Sequence, residues 1–73
     1  MSYDYAKIIG NNINKQLNNQ GIQLDEFASY MGYNFTEVMQ LFNGKLEISI
    51  HEMNKIADYL GVDVMELGKS KIR

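Results

Sequence analysis

Glycine and asparagine cut this chain into short stretches, and no proline stands in any of them. That punctuation constrains the fold more than any other feature, because each cut falls where an apolar helical repeat ends. Ile9, Ile13 and Leu17 recur every four residues, with Gly21 as a stop, which predicts a helix over about 5–19. Packing must carry it, since Asn11, Asn12, Asn14, Asn18 and Asn19 are poor helix formers. A second helix is predicted over about 24–31, with Phe27, Ala28 and Met31 as its buried stripe and Gly32 as a left-handed stop. Asp25 and Glu26 lie in its first turn, where the helix dipole favours anions. A third is predicted over about 35–42. Asn34 and Glu37 form a capping box, Val38, Leu41 and Phe42 face inward, and Asn43-Gly44 closes it.

The same grammar continues. Ser49 and Glu52 cap a fourth helix over about 50–60, in which Ile50, Met53, Ile56, Ala57 and Leu60 follow at helical spacing and Gly61 is the stop. Asp63 with Glu66 caps a short fifth helix over 64–67. Cap, period and stop agree along the whole chain, which is what a sequence that specifies one structure looks like.

At 73 residues there is room for one domain, over 1–67, with a short basic tail over 68–73. There is no cysteine, so disulfides are excluded and structural zinc is disfavoured. Association with a second copy is the remaining way to add buried area. No apolar run is long enough for a membrane span, and Met-Ser-Tyr-Asp-Tyr at the start is no secretory leader, so a cytoplasmic location is expected. The net charge of −2 sets a tension, because nucleic-acid binders are usually basic at least locally.

Two short helices joined by a tight glycine turn have a specific spacing here: Phe27-Ala28, Gly32, Val38, Leu41, then Asn43-Gly44-Lys45. Ala28 lets the second helix approach the third, Gly32 makes the turn, and Val38 and Leu41 lock the third helix across the second. With Ile56-Ala57, Leu60-Gly61-Val62 and Leu67 added, the pattern resembles the phage repressor and Cro-like (XRE-type) helix-turn-helix family over about residues 8–67. The resemblance implies an all-α, compact five-helix bundle, a lambda-repressor-like DNA-binding domain with the helix-turn-helix as helices 2 and 3. It also implies a third helix that lies in the DNA major groove. Mapped onto this chain, base readout would fall on Phe35, Thr36, Glu37 and Gln40, with Leu24 nearby. Backbone contacts would fall on Gln23, Asn43 and Lys45. Many members of that family pair an arginine on the first helix with a glutamate at the end of the third. Leu17 and Phe42 stand there instead, an apolar pair for an ion pair.

The chemistry of those positions is uneven. Gln40 suits adenine, and Thr36 can hydrogen-bond or touch a thymine methyl, whereas Phe35 can only pack on that methyl. Glu37 can accept from cytosine but repels phosphate, and it reads more simply as the capping residue. Residues 23–45 carry Asp25, Glu26 and Glu37 against a single cation, Lys45. Leu24, Tyr30, Phe35, Glu37 and Met39 therefore also outline a protein interface, with Tyr33 read as core. Two functions follow. One is a small transcriptional regulator that binds double-stranded DNA, as a homodimer with Leu46, Ile48 and the fourth helix as candidate contacts. The other is a modulator or anti-repressor that docks on a repressor protein. His51 reads as solvated surface, and Met31, Met53 and Met65 as core filler. No nucleophile–base pair, phosphate loop, metal set or cofactor motif is present, so neither catalysis nor a small-molecule ligand is expected.

Overall fold

The structure, a computed structural model, describes residues 5–69. Five helices follow in order: α1 (Tyr5–Gln20), α2 (Leu24–Met31), α3 (Phe35–Phe42), α4 (Ile50–Leu60) and α5 (Val64–Leu67). They form the all-α bundle that the punctuation predicts. The basic residues Lys71 and Arg73 of the predicted tail lie outside the described residues.

Local chemistry sets the ends. Gly32 and Gly61 close α2 and α4 in the left-handed conformation, with φ of 76° and 71°. Asn34 and Ser49 each accept from the backbone N–H three residues on, and Glu37 and Glu52 reach back to the cap N–H, so both predicted capping boxes close. At α5, Asp63 accepts from the Met65 N–H, while Glu66 pairs with Lys69 at 3.3 Å instead of completing a box. A four-residue helix leaves its third residue that freedom.

The core is one apolar cluster of Ile9, Ile13, Leu17, Phe27, Val38, Leu41, Phe42, Ile56, Ala57, Leu60 and Leu67. Leu17 and Phe42 both belong to it, so apolar packing fills the place of the ion pair. Ala28, Met31 and Met53 pack on its edge, half-buried. Two expected core residues are not in it. Ile50 is 75% exposed, because the first position of α4 precedes the face that turns inward. Met65 is 74% exposed, because α5 is too short to offer the core more than Leu67.

α1 packs against α3 and α5, α2 against α3, and α4 against α5. Two side-chain amides of α1 hold the C-terminal half in place. Asn12 Nδ2 donates to the carbonyls of Leu67 and Lys69, both at 2.8 Å. Gln20 Nε2 donates to the Leu60 carbonyl at 2.7 Å, at the end of α4. Asn12, a weak helix former, and Gln20 thus satisfy carbonyls at and just past the ends of α4 and α5.

Candidate nucleic-acid interface

Gly32, Tyr33 and Asn34 join α2 to α3. The turn is closed by the Tyr33 N–H donating to the Ala28 carbonyl at 2.9 Å and by the Asn34–Glu37 box, with bonds of 2.8 and 2.9 Å. Val38 and Leu41 are buried beneath it. The orientation of α3 is therefore held at its start and from below, and its outer side is left bare.

On that outer side Thr36, Gln40 and Asn43 are exposed at spacings of four and three residues, which puts them along one stripe. Lys45 is exposed just past the helix end, where its N–H donates to the Gln40 carbonyl at 2.7 Å. Glu37 is half-buried with one carboxylate oxygen held in the capping box. Phe35, the first residue of α3, is 65% exposed. Met39 is half-buried against the core edge. Gln23 is exposed at the cap of α2, but its side chain makes no capping bond, unlike Asn34, Ser49 and Asp63. The first N–H groups of α2 thus have no side-chain acceptor, and helix starts of this kind favour anions.

The expected apolar patch is divided in two. Leu24, Ala28, Tyr33 and Phe35 line an open groove of about 560 Å³ between the starts of α2 and α3, with Gln23, Asp25 and Ser29 at its edge. Tyr30 sits in a neighbouring hollow with Tyr59, Asp25 and Glu26. There its ring stacks on Tyr59 at 4.3 Å between centroids, and Lys55 Nζ lies 5.2 Å from its centre. Tyr30 therefore belongs to an α2–α4 contact as well as to the surface. Tyr59 and Lys55 were not legible as its partners, because nothing local in the sequence links α2 to α4. Near Tyr59, burial and then the charge of Glu26 push the phenol up.

Tyr33 bridges groove and core. Its ring meets Phe27 edge-on at 6.4 Å, and its hydroxyl is buried with no hydrogen-bond partner among the described residues. Burial first, then the charges of the two capping carboxylates Glu52 and Glu37, push the phenol up to about 12. A weak hydrogen-bonding contribution from Glu52 adds to that shift, short of a well-formed bond. Tyr33→Phe is expected to stabilise the fold by up to about 1 kcal/mol, since an unsatisfied buried hydroxyl is removed. The gain should grow with pH. The unfolded phenol loses its proton near 10 and the folded one only near 12, so wild-type stability is intact below about pH 10 and falls between the two. Urea midpoints of both proteins at pH 8 and across that window check this. A gap that does not widen above about pH 10 would refute it.

Among the described residues no three His, Asp or Glu side chains converge as a metal set, and no helix is long and apolar enough to cross a membrane. His51 is exposed.

Comparison with known proteins agrees with this geometry. A family model described as helix-turn-helix matches residues 13–67. No curated protein matches the chain. Among solved structures, the DNA-binding domain of BldD is similar, with a TM-score of 0.77 and 25% sequence identity over 94% of this chain and 100% of that one.

Proposed function

The chain belongs to the helix-turn-helix family, and from that premise we propose that it is a small DNA-binding transcriptional regulator that reads operator DNA with α3. The observation that carries the reading is the exposed stripe of Thr36, Gln40 and Asn43 on a helix locked from beneath. Thr36 and Gln40 reach base edges, with Phe35 beside them and Glu37 left mainly to its cap. Gln23 at the open start of α2, Asn43 and Lys45 hold phosphates. A symmetric dimer, in contact through Leu46, Ile48 and the exposed Ile50, would place two copies of α3 about 34 Å apart on successive turns of the duplex.

The acidic surroundings set the energetics. One cation in the two-helix unit means few phosphate contacts, so affinity depends on base readout more than is usual. The test is selection from random duplexes at about 50 mM salt, followed by a salt titration. The plot of log affinity against log salt should be shallow. Lys45→Gln should flatten it by roughly one further unit per bound copy and weaken all sequences alike. Failure to retain any duplex at low salt overturns the reading. The same result would favour the second one, a repressor protein docked on the Leu24–Phe35 groove, for which Asp25 at its edge and Glu26 in the neighbouring hollow speak.

A further inference from the structure

We propose that this chain is a reader of A·T base pairs, and that Phe35 contributes by packing on the 5-methyl group of a thymine. The inference rests on the DNA-binding reading above and adds to it the class of base that is recognised.

The position of Phe35 is the first observation. A phenylalanine at the start of α3 is 65% exposed, in a chain whose other two phenylalanines are buried. It forms one wall of the groove whose other apolar walls are Leu24, Ala28 and Tyr33. The start of the recognition helix is the part that meets base edges in the major groove. Of the four bases, thymine alone presents a methyl group there, the one base feature that an apolar side chain such as Phe35 can pack on. A phosphate gains nothing from the apolar walls of Leu24, Ala28 and Phe35, whereas a thymine methyl does.

The neighbours of Phe35 agree. Gln40, exposed on α3, carries the carboxamide that pairs with the N6 and N7 groups of adenine. Arginine and lysine, the side chains that most often read guanine, do not occur from residue 23 to residue 44. Lys45 lies past the end of the helix. An adenine reader and a methyl reader stand on one helix without a guanine reader beside them. Adenine and the thymine methyl are the two partners of one base pair.

Deoxyuridine tests this directly, because it differs from thymidine only by the methyl group. The full chain is used to select duplexes from a random pool at about 50 mM salt. Each thymine of the selected site is then replaced by deoxyuridine in turn, and affinity is measured for wild type and for Phe35→Ala. The selected positions under α3 should be A·T. At one thymine per half-site, loss of the methyl should weaken wild type about fourfold, the weight of one buried methyl group (about 0.8 kcal/mol). Phe35→Ala should weaken the parent duplex at least as much and show no further loss at that thymine. Phe35 is exposed, so this variant keeps its fold, and the deoxyuridine arm alters no protein atom. If deoxyuridine has no effect at any position, or the same effect in both proteins, the inference fails while DNA binding stands. If no duplex is selected at all, the DNA-binding reading fails with it.

Discussion

Gly10→Ala is expected to leave the chain unfolded or barely folded at room temperature. Helix propensity alone says the reverse, since glycine inside a helix is destabilising by roughly 0.5–1 kcal/mol relative to alanine. Gly10 lies in the middle of α1 and is buried. A Cβ there would be driven into the Leu41 carbonyl oxygen and would stand 2.9 Å from that of Phe42. Both obstacles are backbone at the end of α3, so no side chain can swing away. The contact has a counterpart next to it. A Cβ at Gly44 would stand 2.7 Å from the Lys7 N and Cα atoms. α1 and the end of α3 therefore meet backbone to backbone at two places.

Overpacking typically costs about 1–3 kcal/mol, and a rigid backbone obstacle puts this site at or above the top of that range. A chain of this size has a margin of only about 3–5 kcal/mol. Circular dichroism with urea titration would show loss of the cooperative transition or a large fall in its midpoint. Gly21→Ala is the control. Its φ of 68° penalises alanine, but nothing lies within 4 Å of the new Cβ, so the loss should be about 1–2 kcal/mol. A Gly10→Ala protein as stable as wild type would show that α1 and α3 do not approach as described.

Gly10 also marks where sequence reasoning stops. Helix ends were legible because caps and stops are local: Asn34 with Glu37, Ser49 with Glu52, Gly32 and Gly61 each act within a few residues. The buried stripe was legible from its period. The contact at Gly10 joins residues more than thirty positions apart, and the only local trace is a glycine that interrupts an otherwise helical repeat. Ile50 and Met65 failed for a related reason. Period gives a face, but at the first turn of a helix that face has not yet reached its neighbours. Of the candidate site, the bare positions Phe35, Thr36 and Gln40 could be read in advance. The groove that Phe35 shares with Leu24, and its separation from Tyr30, needed the packing of α2 on α3 and α4.

Gln40→Ala is expected to weaken binding to a selected duplex by roughly ten- to a hundredfold, with little change in stability. A bidentate side chain on a base edge is worth about 1–3 kcal/mol of discrimination. In most regulators phosphate contacts supply a large sequence-independent share of affinity. On the reading proposed above that share is small, because Lys45 is the only cation between residues 23 and 45, so losing one base contact should remove a larger fraction of the whole. The fold has no stake in the side chain. Gln40 is exposed, it takes no part in the cap of α3, and alanine is the better helix former. Affinities for the four possible base pairs at one position identify the mechanism. Readout by Gln40 predicts that the variant loses its preference for adenine at that position and keeps its preferences elsewhere. A loss spread evenly over all sequences would instead assign Gln40 to the strand backbone. It would leave Phe35 and Thr36 as the only base readers on a face with almost no charge to hold the duplex.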